Sequence, residues 1–411
     1  MNKKHILSVV TSFLLMIQAC ASNETINTEE SNNNSKNTQT KNSPSSQQVP
    51  NSIENFDKSK ADKLTDTAKL LAGMQVSDGQ RPTFGDRSSF FKVTKINGWK
   101  THQNFFQNSW SKLENQQISK VREWTSKELQ QVNSTSREVF YPFSGPDFLY
   151  AYSLFPKAKK YILVGLEPVG SLPDFSKLNS SQSSYKLQEA RNSLYGILKF
   201  SFFRTNDMKV DLKKQGVLPI LSVFMARTGN RLLDLQYIGL DKNANVKQFQ
   251  KGMIPGIKIA FTSKGESNPK TLYYFSTDLS NDGMKKNPQL AEFVKKQKNP
   301  VTYLKAASYL MYYDNFSKIK NVILSQSDHI LQDDSGMPLK SFNLAQWDLK
   351  FYGNYTRPIG LFSNRYQSDL RKVYANNSSI EPLNFGIGYQ FGVNKSNLML
   401  ATPKKVASKS F

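Results

Sequence analysis

Apolar residues recur along this chain at helical spacing in several segments. Ala61, Leu64, Ala68 and Leu71 fall on one helical face, and Gly73 can end that helix in the left-handed conformation. Trp110, Leu113, Val121 and Trp124 form a second stripe of this kind, which is typical of a core face. The pattern predicts helices over residues 61–71, 109–131, 148–155, 183–204 and 300 to about 313.

Shorter apolar runs, bounded by turn residues, predict strands instead. These runs cover residues 138–143, 160–166, 217–226, 232–238, 256–262, 271–276 and 320–325. The turn-rich segment 264–269 predicts a hairpin between two of them. Near the end, aromatic or aliphatic residues alternate with glycine or glutamine over residues 385–393, which predicts a half-buried strand.

The segment from Arg137 to Asp174 has the densest signal. An apolar run, the turn Ser144-Gly-Pro-Asp147, a short helix that Pro156 stops and a second apolar run follow one another. This order is typical of a βαβ unit in a parallel sheet. We therefore expect an α/β or α+β fold: a mixed sheet with a βαβ-like unit around residues 137–166, antiparallel hairpins and flanking helices.

The amino terminus has the pattern of a bacterial lipoprotein signal. Lys3 and Lys4 precede an apolar stretch, Ile6 to Met16, and Ile17-Gln-Ala-Cys20 ends it with small residues before the cysteine. The prediction is cleavage before Cys20 and lipid attachment to it, which anchors the protein in the membrane; the alternative is an ordinary secretory signal with an incidental cysteine. Ala21 and Ser22 favour the outer membrane of a two-membrane cell, because the usual retention signal has Asp after the cysteine.

Composition divides the rest of the chain into a tether and a basic body. Residues 20–54 are rich in Asn, Ser, Thr and Gln and predict a disordered tether, and residues 55–411 are expected to form one globular domain. The formal net charge of the chain is +23. Residues 1–19 contribute Lys3 and Lys4, and the tether is slightly acidic, so the positive charge belongs to the globular body. Such a body is attracted to anionic polymers and lipid headgroups.

The residue inventory excludes several kinds of chemistry. Cys20 is the only cysteine, and His102 and His329 are the only histidines after the signal. Disulfides, cysteine nucleophiles and multi-histidine metal sites are therefore not expected, and no cofactor is predicted. The basic residues are scattered and form no nucleic-acid-binding motif, so no specific nucleic acid is expected as a partner. We expect His102 to lie at the surface or to cap a helix.

Two turns combine serine, glycine, proline and carboxylates. The first contains Ser144 and Asp147 and is followed by Glu167 after the next strand; the second contains Asp333, Asp334 and Ser335. Ligands of open α/β sheets bind beyond the carboxyl ends of the strands, so these residues are candidates for one pocket, with Arg357 or Arg365 as the counter-charge. The alternative is that they only form turns and helix caps.

Two functions follow from these features. The first is a lipid-anchored cell-envelope protein that binds or scaffolds through its basic domain, contacting an anionic envelope polymer or lipid headgroups. The second is an envelope hydrolase with its site at residues 144–147 and 333–336, using a serine with His329 as base or a pair of carboxylates.

The sequence also resembles a known family in its densest segment. Phe-Tyr-Pro-Phe-Ser-Gly-Pro-Asp-Phe-Leu-Tyr, residues 140–150, and Leu-Val-Gly-Leu-Glu-Pro-Val-Gly, residues 163–170, are similar to a family of secreted or lipid-anchored bacterial proteins, cyanobacterial ones among them. The similarity covers residues 140–170. It implies an envelope location and no catalytic residues, because none are established for that family.

Overall fold

The described part of the chain is built around a ten-stranded mixed sheet. The computed structural model describes residues 53–76, 88–135, 138–200, 216–298 and 300–404. The predicted signal peptide, Cys20 and nearly all of the predicted tether lie outside these residues. The strands are β1 (Glu138–Tyr141), β2 (Lys160–Gly165), β3 (Arg231–Leu240), β4 (Val246–Gln248), β5 (Ile254–Thr262), β6 (Lys270–Ser276), β7 (Val301–Leu304), β8 (His329–Gln332), β9 (Trp347–Gly353) and β10 (Asn397–Pro403).

Twelve α-helices of the described ranges accompany the sheet. They are α1 (Lys58–Leu71), α2 (Ser88–Val93), α3 (Trp99–Leu113), α4 (Ser119–Glu128), α5 (Gln130–Thr135), α6 (Phe148–Leu154), α7 (Ser180–Phe200), α8 (Leu218–Arg227), α9 (Asn281–Lys286), α10 (Gln289–Lys295), α11 (Ser317–Gln326) and α12 (Ser368–Asn376). Within these ranges, no helix combines the length and the apolar character needed to cross a bilayer.

The strand order gives the sheet a reversal point at its centre. The order is β4-β3-β5-β6-β2-β1-β7-β8-β10-β9, and the five strands from β6 to β8 are parallel. The chain proceeds from β1 to β2 and β6 on one side, then crosses to β7 and β8 on the other. The reversal therefore lies between β1 and β7, where ligands of doubly wound sheets bind. We call the ends where these five strands begin and finish the amino edge and the carboxyl edge.

The parallel strands are buried on both faces. In β2, Tyr161 and Leu163 pack into the cluster that contains α1, α3, α6, α7 and α8, whereas Ile162 and Val164 pack into the cluster of α9, α10 and α11. Period-two alternation of side chains sends successive residues to opposite faces. Because helices cover both faces, both sets are apolar, and the strand reads as a continuous apolar run.

The α/β prediction is confirmed, and so is its βαβ unit. β1 and β2 are parallel neighbours, with Glu138 opposite Lys160 and Tyr141 opposite Leu163. The connecting helix α6 has only seven residues. The predicted hairpin is β5–β6, whose strands pair antiparallel.

Two predicted strands are helices. Residues 217–226 form most of α8. The prediction failed because Leu218 to Ala226 are all buried, so the run shows no helical alternation of buried and exposed positions. Pro219 lies in its first turn, where a missing N–H costs nothing. Residues 320–325 belong to α11, whose buried Ile319, Val322 and Ile323 have the spacing of a helix face.

One predicted helix is a strand, and one predicted strand does not form. The helix predicted from Pro300 is β7, a four-residue buried strand between β1 and β8, followed by a loop. The strand predicted over residues 385–393 is irregular, with one isolated bridge between Ile387 and Gln390. Its glycines allow close approach instead: a β-carbon on Gly388 would collide with the carboxylate of Asp333.

Two predictions about the helical region also need correction. The helix predicted over residues 109–131 begins ten residues earlier, as α3, and continues through a π-helical turn, Glu114–Ile118, into α4. His102 is fully buried, so the surface alternative is wrong. It does cap a helix: its Nε2 lies 3.0 Å from the carbonyl oxygen of Leu70 and 3.1 Å from that of Leu71, at the end of α1.

Candidate functional site

The two Ser-Gly turns lie on the carboxyl edge, after β1 and β8, with only β7 between these strands. Neighbouring strands are about 4.8 Å apart, so the ends of β1 and β8 are about 10 Å apart. Lys305, the residue that follows β7, fills the space between the turns. Its Nζ lies 2.6 Å from Asp147 Oδ2, and both side chains are 2% exposed.

The first turn is organised around Asp147. Its carboxylate accepts hydrogen bonds from the Tyr141 hydroxyl, at 3.0 Å, and from the backbone N–H of Tyr150, at 3.3 Å, which caps α6. The Lys305 ammonium also lies 3.7 Å from the centre of the Tyr150 ring. Burial lowers the pKa of Lys305, and the negative charges of Asp147 and Asp333 oppose that shift. Asp147 and Lys305 form a buried ion pair within a group of tyrosines.

The second turn uses its carboxylates to hold two other segments. Asp333 accepts hydrogen bonds from the backbone N–H groups of Ala306, at 2.9 Å, and Ser335, at 3.0 Å. Asp334 accepts from the Tyr309 hydroxyl and from Asn397 Nδ2, the latter at 3.0 Å. Burial, and then the charge of Asp334, raises the pKa of Asp333 to about 7. Burial also raises the pKa of Asp334.

The loop after β7 has an unusual backbone conformation, which the hydrogen bonds to Asp333 help to stabilise. Ala306, Ser308 and Tyr309 have φ values of 50°, 54° and 54°, in the left-handed region that non-glycine residues seldom adopt. Such residues persist only where surrounding contacts hold them. Here the carboxylate of Asp333 holds the N–H of Ala306, and the Tyr389 hydroxyl donates to its carbonyl at 2.9 Å.

Both candidate serine hydroxyls are used within the backbone framework. Ser144 Oγ accepts from the N–H of Val164 at 3.1 Å and lies 3.2 Å from its carbonyl, which extends the β1–β2 pairing. Ser335 Oγ accepts from the N–H of Ala307 at 2.8 Å and donates to Asp333. Ser144 is 6% exposed and Ser335 is fully buried. Neither hydroxyl is presented to a substrate in this arrangement.

His329 is at the opposite end of β8 from these groups. It begins the strand, and Asp333 follows the strand's last residue. Four residues at about 3.3 Å each separate them by about 13 Å. The Nδ1 of His329 instead lies 3.0 Å from Asp328. His329 is therefore too far away to act as a base for Ser335.

Glu167 lies at the rim of the first turn, after β2. Its Oε2 is 3.5 Å from the position that a β-carbon on Gly145 would take, and 3.4 Å from the Tyr274 hydroxyl. Burial raises the pKa of Glu167. The structure thus brings Glu167 to Gly145 of the first turn, and Lys305, which pairs with Asp147, also lies within the electrostatic reach of Asp333.

Neither predicted counter-charge forms an ion pair with a carboxylate of these turns among the described residues. Arg365 is stacked at 3.9 Å on the ring of Tyr313, and Arg357 is exposed. The cation between the turns is Lys305, which sequence reasoning missed because it treated residues 300–313 as a helix. A lysine that directly follows a buried apolar run is the signal that could have found it. No cluster of potential metal ligands is present within the described ranges.

The amino edge has the opposite character. Lys157 and Lys159 precede β2, Lys264 lies in the β5–β6 hairpin, and Lys298 precedes β7; all four are exposed. Backbone bonds tie these segments together: the N–H of Thr271 in β6 donates to the carbonyl of Lys159 at 2.9 Å. Glu138 connects the segments before β2 and β7: its carboxylate pairs with Lys160 at 2.7 Å and accepts a hydrogen bond from the backbone N–H of Lys298 at 3.2 Å.

Comparison with protein-family models found no match to this chain, and comparison with curated protein sequences found none either. The resemblance noted for residues 140–170 stays a prediction.

Proposed function

We propose that this protein is a lipid-anchored component of the bacterial cell envelope that binds anionic envelope groups through the amino edge of its sheet. The lipoprotein pattern ending at Cys20 supports the anchor and the location, the outer membrane being favoured in a two-membrane cell. The strongly basic body supports the anionic partner.

One observation carries the choice of surface. Lys157, Lys159, Lys264 and Lys298 are exposed on one edge, and no carboxylate of the described residues forms an ion pair with their ammonium groups. The acids of this edge have other partners: Glu138 pairs with Lys160, Glu266 pairs with Lys270 at 3.1 Å, and Asp328, which precedes β8, lies 3.0 Å from Nδ1 of His329. Four unpaired ammonium groups remain to attract an anionic surface.

The candidate residues of the carboxyl edge give no support to hydrolysis at that edge. Asp147, Asp333, Asp334 and Ser335 are each at most 4% exposed, and all of them hydrogen-bond inside the protein. A carboxylate that protonates a glycosidic oxygen, or a serine that attacks a carbonyl, has to reach its substrate. These side chains act on the loops around them instead.

The experiment compares two fourfold lysine variants of the mature-length chain, each with Cys20→Ser so that no lipid contributes. The first changes Lys157, Lys159, Lys264 and Lys298 to Gln; the control changes Lys285, Lys286, Lys340 and Lys372, which are exposed and follow β6, β8 and β9. Binding is measured at low salt to vesicles containing phosphatidylglycerol and, separately, to polygalacturonate.

A basic residue near an anionic membrane contributes about 1 kcal/mol. We therefore expect the amino-edge variant to lose at least about tenfold in affinity, the control to lose much less, and salt to weaken the remaining binding. The vesicle and polysaccharide arms show which source of anionic groups is preferred. Equal losses in the two variants would mean that net charge alone acts, and the proposed surface would be rejected.

The anchor is tested on the unmodified chain in cells. We expect it to enter the detergent phase of a detergent partition and the Cys20→Ser form to stay aqueous, because two or more acyl chains are needed for stable attachment. An unmodified chain that is already aqueous contradicts the lipoprotein assignment.

A further inference from the structure

A polar groove of about 420 Å³ lies between the start of α3 and the amino-terminal half of α7. This volume is within the roughly 300–1,000 Å³ of small-molecule sites. Hydroxyl, amide, aromatic and guanidinium groups line it, among them those of Ser180, Ser181, Ser184, Tyr185, Gln188 and Arg191. The groove shares no residue with the charged groups of either edge.

Arg191 is held in place by a buried histidine. Its Nη1 lies 3.1 Å from Nδ1 of His102. The other ring nitrogen of His102 faces the carbonyl oxygens of Leu70 and Leu71, so that nitrogen carries the hydrogen and Nδ1 accepts from Arg191. Burial lowers the pKa of His102 to about 4, which keeps the ring neutral and able to accept. The guanidinium is thus positioned before any ligand arrives.

The charge of Arg191 has no acidic partner. No carboxylate of the described residues forms an ion pair with it, and it has four further N–H donors besides the one that His102 uses. A planar guanidinium matches a carboxylate through two parallel hydrogen bonds. Both helices also begin at this groove, at Trp99 and Ser180, so their positive ends add to the field of Arg191.

The remaining lining suits a sugar. The ring of Tyr185 is exposed (57%) and lines the same groove; the Lys186 ammonium lies 5.7 Å from the ring centre, the hydroxyl is hydrogen-bonded to Glu189, and the ring offers a flat apolar surface. Serine hydroxyls and the amide of Gln188 can donate to and accept from ring hydroxyls. A ligand that uses all these groups has one carboxylate, several hydroxyls and a ring.

We propose that this groove binds a uronic acid unit of an acidic polysaccharide, with the carboxylate on Arg191 and the sugar ring against Tyr185. This rests on the proposed envelope-binding function and adds a specific site to it. The amino-edge lysines attract the polymer without selecting a sugar, whereas the groove recognises one unit of it.

The test is a calorimetric titration of the mature-length Cys20→Ser chain with trigalacturonate. Maltotriose is the neutral comparison, and inorganic phosphate is the simple anion. The variants are Arg191→Gln and Tyr185→Ala; the control is Lys112→Gln, which removes one positive charge at the far end of α3, about 20 Å away. Circular dichroism establishes that each variant is folded.

We expect trigalacturonate to bind and maltotriose not to bind. Arg191→Gln and Tyr185→Ala should each weaken trigalacturonate binding at least tenfold, and Lys112→Gln less than twofold. If Arg191→Gln does not fold, Arg191→Lys takes its place, since it keeps the charge but loses the paired hydrogen bonds and should still weaken binding several-fold.

Three results overturn the inference: equal affinity in the wild-type and groove variants, displacement of trigalacturonate by phosphate at equal concentration, or no binding at all. Its failure is distinguishable from that of the proposed function. If the amino-edge lysine variant loses binding to polygalacturonate while Arg191→Gln keeps it, the basic edge binds the polymer and the groove does not.

Discussion

The acids at the carboxyl edge of the central sheet and the exposed lysines at its amino edge use their charges in opposite ways. At the carboxyl edge, Asp147, Asp333 and Asp334 are buried, and each is bonded to side chains or backbone groups of other segments. At the amino edge, Lys157, Lys159, Lys264 and Lys298 are exposed, and none of them forms an ion pair with a carboxylate of the described residues. A buried charge needs a partner inside the protein, so it serves the fold; an exposed one keeps its field for something outside.

The largest effect that tests this comparison is expected at the buried ion pair. Lys305→Met leaves Asp147 buried without its cation and should reduce the free energy of unfolding by about 3–5 kcal/mol. Urea unfolding measures it. The double variant Lys305→Met/Asp147→Asn removes both charges of the pair and should recover part of the loss. If the double variant is no more stable than the single one, the pair is not a coupled unit.

The pH dependence of stability should follow Asp333. Its pKa is about 7 in the folded protein and about 3.9 in an unfolded chain. Above about pH 4, Asp333 ionises in the unfolded state but stays protonated in the folded state, which lowers the free energy of the unfolded state relative to the folded one. The contribution of Asp333 to stability is therefore present at low pH and is lost progressively up to about pH 7. The loss is up to about 4 kcal/mol.

Unfolding of the wild-type chain and of Asp333→Asn at pH 4, 5.5 and 7 checks this. The variant should lose stability less steeply with rising pH, whatever its stability at any one pH. Asp348→Asn, at a 71% exposed side chain, is the control and should keep the wild-type slope. An unchanged slope in Asp333→Asn would show that Asp333 is ionised throughout.

A smaller effect is expected from the serine of the second turn. Ser335→Ala removes the acceptor of the Ala307 N–H, which stays buried, and should cost about 1–3 kcal/mol of unfolding free energy. Denaturant unfolding measures it, with exposed Ser363→Ala as the control. A loss of function in Ser335→Ala without a loss of stability would contradict the structural role and revive the hydrolase.

The smallest effect on stability is expected at the amino edge. The fourfold lysine-to-glutamine variant should change the free energy of unfolding by less than about 1 kcal/mol, because exposed substitutions away from special contacts have little effect. Urea unfolding of this variant and of the wild-type chain measures the change. A loss as large as that of Lys305→Met would mean that the two edges do not differ in the way described.

Local chemistry was enough to predict one part of the candidate site. A turn followed by a helix start is favoured by the local sequence Ser144-Gly-Pro-Asp147, independently of its surroundings. The apolar runs on either side of it are expected to be buried. The prediction of β1, α6 and β2 was therefore correct. The second turn does follow a strand, but that strand is residues 329–332; the strand predicted over residues 320–325 was wrong, because these residues are helical.

Burial on all sides defeated the prediction elsewhere. Residues 218–226 are buried on every side of a helix, and residues 301–304 are buried on both faces of a strand, so neither segment has the exposed polar positions that reveal a period. Only packing decided between helix and strand there. With β7 unrecognised, Lys305 could not be placed beside Asp147.

The sequence alone determined the lipoprotein pattern at Cys20, the basic character of the body and the turn that begins α6, because each depends on composition or on residues a few positions apart. The tertiary structure decided which charges meet. Lys305 and Asp147 are 158 residues apart, and Arg191 and His102 are 89 residues apart. No local pattern encodes such pairs; they form because the strand order brings β1 and β7 together and because α3 packs on α7.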